Sequence, residues 1–247
     1  MSVVAKKNDA FGMEMLNHYK GEDVIEIIER SDGYIDGATN GLNVYFADFK
    51  NWCVSEKKAI SLIKGKTLDL GCGAGRVSLY LQSKGIDSLG IDNSALAVKV
   101  CKLRGVKRAK VLAIEMLSEL KEKNFQAVTM LGNNFGLLGT PQKGKKILKQ
   151  LHKMTTDDAI IVAQTLNISL TKDPWHLSYQ KELQKKGKLP GELKLRCRYK
   201  NIIGPWFDYL MVTSKQMDAI LKGTGWKISK IIKEKSGPLY CAVIVKD

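Results

Sequence analysis

The sequence predicts a doubly wound α/β domain on a mostly parallel sheet, and three observations carry that reading. From Lys66 onward, short β-prone runs alternate with amphipathic stretches at the spacing of βαβ units. The first of these runs feeds a loop with glycine at every second position, Gly71-Cys72-Gly73-Ala74-Gly75, and then a helix. Hydrophobic residues make up 44% of the 247 and charged residues 26%, which is enough to bury a core between sheet and helices.

Residues 1–64 read as an N-terminal helical cap. Leu16, Val24, Ile25, Ile27 and Ile28 recur at helical spacing, and Ser31-Asp32-Gly33 interrupts the run. Two more helical stretches fall at about 44–52 and 55–63. The core, 65–165, places strands at 67–70, 88–91, 109–114, 125–131 and 159–164. Helices fall between them at 76–84, 95–104 and 142–154. This alternation predicts a sheet covered on both faces, joined by right-handed crossovers.

Residues 166–209 break the rhythm. A connection this long is commonly a lid or a binding element. Within it Leu193, Leu195, Cys197 and Tyr199 alternate with Lys194, Arg196, Arg198 and Lys200, the pattern of a half-buried strand with one basic face. A second strand over 206–212 can pair with it across Gly204-Pro205. Residues 210–247 return to the core pattern, with a helix at 214–222 ended by Gly223 and Gly225, then strands at 226–233 and 240–246.

The net charge is +15, which suits an anionic partner such as RNA. Yet 34 of the 40 basic residues are lysine and six are arginine, and they are spread along the chain. Scattered lysine fits a solvated surface better than base or phosphate recognition, which leans on the guanidinium fork. The five cysteines, Cys53, Cys72, Cys101, Cys197 and Cys241, show neither paired nor metal-binding spacing. With no apolar run of a secretory signal at 1–7 and no stretch long enough for a membrane span, the expectation is a cytosolic protein with reduced thiols.

The segment Leu68-Asp69-Leu70-Gly71-Cys72-Gly73-Ala74-Gly75-Arg76 narrows the chemistry. Glycine is required where a turn is tight and a ligand approaches the backbone. A dinucleotide fingerprint would need a small residue at 76, where Arg76 stands, so a nicotinamide dehydrogenase fits poorly. A carboxylate, Asp92, ends the next strand 21 residues after Gly71 and can accept hydrogen bonds from ribose hydroxyls.

On Asp69, Gly71, Gly73 and Gly75 the chain resembles the class I S-adenosylmethionine-dependent methyltransferases. The resemblance implies a seven-stranded sheet whose final strand runs antiparallel, and S-adenosyl-L-methionine as cofactor. It also implies a loop, with Cys72 in it, that embraces the methionine half of the cofactor, with the Asp69 position near its ammonium. By the same resemblance Asp92, with Asn93 beside it, takes the ribose, while Glu115 and Met116 lie near the adenine. Leu131 belongs to the cofactor side of the fourth core strand. The stretch Gly132-Asn133-Asn134-Phe135 is similar to one in glycine N-methyltransferases, whose asparagine, here Asn133, contacts the acceptor. Radical use of the cofactor is disfavoured, because no cysteine triplet exists to hold an iron–sulfur cluster.

Methyl transfer from a sulfonium is an in-line displacement that needs alignment and, for some acceptors, a base; it requires no metal. His176 and Tyr179 in the insertion are candidates for catalysis beside Asn133. Arg196, Arg198, Trp206, Asp208 and Tyr209 are further pocket candidates. The sequence therefore predicts transfer to nitrogen or oxygen of a small-molecule acceptor. The rivals are an RNA methyltransferase and a non-catalytic protein that only binds the cofactor.

Overall fold

A computed structural model describes residues 2–38 and 41–247. Among the described residues the chain forms helices α1 (Ala10–Tyr19), α2 (Gly41–Phe46), α3 (Val54–Ile60), α4 (Arg76–Ser83), α5 (Ala95–Leu103), α6 (Pro141–Met154), α7 (Pro174–Lys185) and α8 (Ser214–Leu221). The strands are β1 (Glu26–Arg30), β2 (Ile35–Ala38), β3 (Thr67–Leu70), β4 (Ser88–Asp92), β5 (Ala109–Val111), β6 (Phe125–Met130), β7 (Thr155–Leu166), β8 (Glu192–Tyr199), β9 (Ile202–Ile203), β10 (Phe207–Leu210), β11 (Trp226–Lys233) and β12 (Leu239–Lys246).

Seven strands form the central sheet in the order β11-β12-β7-β6-β3-β4-β5. Pairing is parallel from β7 to β5, and β12 runs antiparallel to both β7 and β11. This is the expected doubly wound sheet with its antiparallel final strand. Ile147, Leu148 and Leu151 of α6 and Met217 and Ile220 of α8 pack one face, with Leu68, Leu70, Val128 and Ile161 of the sheet. Ala59 and Ile60 of α3 and Val77 and Leu81 of α4 pack the other. Local chemistry sets the helix starts. Thr213 and Gln216 close a capping box on α8, and Thr140 caps α6 with Pro141 at its first position.

A second sheet lies outside this core in the order β10-β8-β1-β2, with β9 added to β8. The expected pairing of β8 with β10 is present, in the register Phe207↔Leu195 and Tyr209↔Leu193. The helical reading of the N-terminal region is corrected over 26–38: these residues form the hairpin β1–β2, and β1 pairs with β8. Ile25, Ile27 and Ile28 suit a strand by β-branching, and the Asp32-Gly33 turn closes the hairpin. The core strand expected over 109–114 is shorter. It stops at Val111, and Ile114–Glu119 forms a 3-10 turn. No helix among the described residues is long and apolar enough to cross a membrane.

Arg76, the residue that breaks a dinucleotide fingerprint, crosses to α3. Its guanidinium forms a two-point ion pair with Glu56, and both side chains are nearly buried, at 11% and 6% exposure. The same cation lies over the Trp52 ring, 4.5 Å from its centroid. Glu56 Oε1 also accepts from the Gly132 backbone N–H at 3.0 Å, so the pair joins α4, α3 and the end of β6. Removing one partner of a buried pair leaves a charge without its counterion. Arg76→Met should therefore lower unfolding free energy by about 3 kcal/mol in urea titrations. A loss below about 1 kcal/mol would remove this pair from the fold's essential contacts.

Candidate active site

Each half of the candidate site grows from one end of a strand. At the end of β3 the backbone turns through Gly71, Gly73 and Gly75 with φ of 70°, 51° and 83°, all in the left-handed region. Two of these glycines serve packing. A Cβ on Gly71 would meet Leu137 Cδ1 at 2.4 Å and Asn134 Nδ2 at 2.7 Å, and one on Gly75 would meet Cys101 Sγ and Val106 Cγ2 at 2.7 Å. Gly73 differs. The nearest atoms to a Cβ there are Tyr45 Cδ1 at 3.7 Å and Phe11 Cζ at 4.0 Å. Its open side thus faces two aromatic rings, set edge to face with centroids 5.6 Å apart.

Asp92, buried at the end of β4, fixes this loop. Its Oδ2 accepts from Gly73 N at 2.9 Å and its Oδ1 from Ser94 N at 2.9 Å. Burial raises its carboxyl to about 6 against the opposing pull of these two N–H donors. Each oxygen retains acceptor capacity for a further hydroxyl. Asn134 holds the loop from the other side, its Nδ2 donating to Leu70 O at 2.9 Å and Gly71 O at 2.8 Å. Asp69 turns inward. Ser78 Oγ donates to its Oδ2 at 2.7 Å and Thr129 Oγ1 to its Oδ1 at 2.8 Å, so it clamps β3 to α4 and β6. Burial raises the Asp69 carboxyl despite these donors.

The remaining predicted cofactor positions divide. The Cys72 side chain is buried with Cys101 and Val106. Leu131 is likewise buried, in the cluster with Trp52 and Val77. Asn93, Glu115 and Met116 are half-buried on the turns that follow β4 and β5.

After β6, Asn133 takes a left-handed conformation with φ of 66°. Gln164 on β7 accepts from its N–H at 2.9 Å, and Tyr209 Oη donates to its carbonyl at 2.7 Å. Its Oδ1 is buried without a hydrogen-bond partner, as is the hydroxyl of Thr165 near the end of β7. Phe135 is fully buried in the core and does not face this edge.

The second sheet closes over the carboxyl ends of the strands. Alternation puts Glu26, Ile28 and Arg30 of β1 on its inner face with Leu195, Cys197 and Tyr199 of β8. Lys194, Arg196, Arg198 and Lys200 lie on the outer face. The expectation that Arg196, Arg198 and Asp208 line the pocket is corrected accordingly. Glu29 accepts from Arg196 at 2.8 and 2.9 Å and from Arg198 at 2.9 Å, while Asp208 pairs with Lys143. Trp206 is 38% exposed and lies under the Arg196 guanidinium, away from the inner face. Tyr209 does face inward.

His176 and Tyr179 on α7 are tied to the hairpin. His176 Nδ1 lies 2.8 Å from Arg30 Nη1, and Tyr179 Oη lies 3.0 Å from Ser31 Oγ. Both line an open cleft of about 600 Å³ between the inner face of the second sheet and the end of β7. That volume is in the range of small-molecule sites.

Sequence reasoning missed the acidic group beside these elements. Glu14 on α1 is completely buried, and neither carboxylate oxygen has a hydrogen-bond partner. Burial, with Glu26 and Asp9 nearby, pushes its carboxyl up to about 9. Glu26 accepts from Tyr45 Oη at 3.0 Å and is also raised by burial. The signal was present in the sequence, as a lone acid inside the apolar run Met13-Glu14-Met15-Leu16. Among the described residues, no group of three or more His, Cys, Asp or Glu is placed to hold a metal ion.

The open glycine at 73, the carboxylate beside it and the buried acceptor atoms without donors together fit a nucleoside cofactor and a polar acceptor. Solved structures share this architecture. A SAM-dependent methyltransferase from Bacteroides fragilis, in complex with S-adenosyl-L-homocysteine, aligns with a TM-score of 0.84 and 25% identity over 99% of this chain and 98% of its own. The CcbJ methyltransferase from Streptomyces caelestis aligns at 0.59 with 13% identity, covering 98% and 99%. The 1,6-didemethyltoxoflavin-N1-methyltransferase of Burkholderia thailandensis aligns at 0.52 with 14% identity, covering 84% and 82%. The protein is thus a class I S-adenosylmethionine-dependent methyltransferase. Residues 56–201 match the family described as methionine biosynthesis protein MetW, and the chain belongs to that family. No curated protein sequence matches it.

The buried Glu14 makes a prediction about pH. The folded protein keeps a proton on this group up to about pH 9, whereas the unfolded chain releases it near 4.5. Its contribution to stability is complete below the lower value and is lost as pH rises toward the upper one. Between pH 6.5 and 8.5 the loss should approach about 3 kcal/mol in urea titrations, and Glu14→Gln should flatten most of it. Equal slopes in the two proteins would show that Glu14 does not hold this proton.

Proposed function

We propose that the protein transfers a methyl group from S-adenosylmethionine to a nitrogen or oxygen of a small-molecule acceptor. The acceptor lies between the glycine loop and the inner face of the second sheet. The observation that carries this reading is the combination at one sheet edge. A glycine opens toward Tyr45 and Phe11, a buried carboxylate stands behind it, and an acceptor atom without a donor, Asn133 Oδ1, lies after the adjacent strand.

When bound, the cofactor supplies an electrophilic methyl group on a sulfonium sulfur. In this reading the backbone of 71–75 receives its methionine portion, and Asp92, with Asn93 beside it, accepts from the ribose hydroxyls. Glu115 and Met116 flank the adenine. Asp69 acts by positioning the loop through Ser78 and Thr129. Asn133 accepts a hydrogen bond from the acceptor, while His176 and Tyr179 form the wall of the cleft. Catalysis then rests mainly on proximity and alignment. Two neighbours support the reading: the Bacteroides protein holds S-adenosyl-L-homocysteine, and the Burkholderia enzyme holds 1,6-didemethyltoxoflavin together with S-adenosylhomocysteine. The free thiols suit a cytosolic setting.

Calorimetry should find binding of S-adenosylmethionine and S-adenosylhomocysteine and none of NAD. Asp92→Ala removes a charged acceptor worth roughly 1.5–3 kcal/mol per hydrogen bond, so affinity should fall at least about tenfold. An unchanged dissociation constant in a folded variant would refute the assignment. The charge of +15 adds a further test. With Arg196 and Arg198 already paired to Glu29, RNA binding should be weak and should vanish near physiological salt. Tight, salt-resistant RNA binding would replace the small-molecule reading with an RNA one.

A further inference from the structure

The acceptor edge gathers acidic side chains in a molecule that is basic overall. The chain is +15, yet the inner face of the second sheet presents Glu26, and Asp36 stands at the rim of the cleft. Helix α1 brings Glu14 close enough that Glu26 and Asp9 act on it electrostatically, and Asp36 acts on Glu26 in the same way. The cation on this face, Arg30, is already engaged by both oxygens of Asp32 and by His176.

The unmet hydrogen-bonding capacity here consists mainly of acceptors. Glu14 offers two fully buried oxygens without a partner. Independently, Asn133 offers a buried Oδ1 at the end of β6, on the residue whose carbonyl is held by Tyr209. Two tyrosines border these groups, Tyr45 donating to Glu26 and Tyr209 to the Asn133 carbonyl. A buried carboxylate without a donor is costly, and a cationic donor relieves that cost.

We propose that the methyl acceptor is an amine, its ammonium group received by Glu14 with Glu26 beside it, on the side where Phe11 of the same helix and Tyr45, hydrogen-bonded to Glu26, meet the glycine loop. This rests on the methyl-transfer reading. The arriving cation displaces the proton that Glu14 holds in the free protein. Glu26 on β1, Asp9 at the start of α1 and Cys197 on β8 are the other titratable groups facing it. For transfer, the ammonium passes a proton to the Glu14 carboxylate. The freed nitrogen lone pair forms a bond to the methyl carbon, and the electron pair of the carbon–sulfur bond goes to sulfur. The methylated ammonium departs, and Glu14 is again protonated.

The test is calorimetry on the full chain saturated with S-adenosylhomocysteine. The probes are matched pairs: 2-phenylethylamine with 2-phenylethanol, butylamine with butan-1-ol, and histamine with its imidazolyl-ethanol counterpart. At least one amine should bind tenfold or more tightly than its alcohol. In buffers of different ionisation enthalpy near pH 7.5, that binding should release about one proton. Glu14→Gln should abolish both the preference and the release, while S-adenosylhomocysteine affinity stays within about twofold. Glu26→Gln, a second variant with the Glu14 oxygens intact, should reduce the preference only in part. Amines that bind no better than alcohols, or a preference that survives Glu14→Gln, would overturn the proposal and leave methyl transfer standing. Failure to bind S-adenosylhomocysteine at all would instead overturn the methyl-transfer reading beneath it.

Discussion

The carboxylate of Asp92 holds two pieces of backbone at once, and much of the site hangs from it. One oxygen takes the N–H of Gly73 and so sets the glycine loop. The other takes the N–H of Ser94 at the start of α5. Ser94 caps that helix through Ala97 N and donates its hydroxyl to Asp9, which in turn caps α1 through Gly12 N. Gly12 allows this approach, because a Cβ there would stand 2.3 Å from Ser94 Oγ. The helix placed in this way carries Glu14. A short relay of hydrogen bonds therefore fixes the carboxylate behind the glycine loop and the buried acid on α1 in one frame.

The second sheet separates charge by the pleat of its strands. Along β8 the basic residues face outward, where Glu29 and Glu22 pair with Arg196, Arg198 and Lys200. The apolar members face inward with Glu26 of β1. A protein with excess lysine can in this way keep acidic side chains on an inner face, because its basic residues stand on the outer, solvent-screened one. The net charge of the chain describes its surface and says little of the site.

The core was legible because its signals are local. The glycine loop and Asp92 depend on backbone geometry within a few residues, and the strands at 67–70 and 226–233 begin and end where the pattern puts them. The hairpin at 26–38 was not legible. The run Val24, Ile25, Ile27 and Ile28 at its start satisfies a helical and an extended period alike, and the strand that decides between them, β8, lies more than 160 residues downstream. Glu14 was missed for a related reason. A single acid in a helix reads as solvent-facing until tertiary packing shows that its face is covered. Arg76 was legible as a misfit to dinucleotide packing, but its partner Glu56 could not be read from spacing.

The second sheet joins strands from distant parts of the chain, Arg30 standing opposite Leu195. During synthesis the hairpin emerges early and has no neighbour for its open edge until β8 follows. At about 5–20 residues per second that interval is on the order of ten seconds to half a minute. The seven-stranded core, apart from its last two strands, can be assembled in that time. The second sheet is therefore completed late in synthesis, and the waiting edge of β1 is an exposed template for unwanted strand pairing until then.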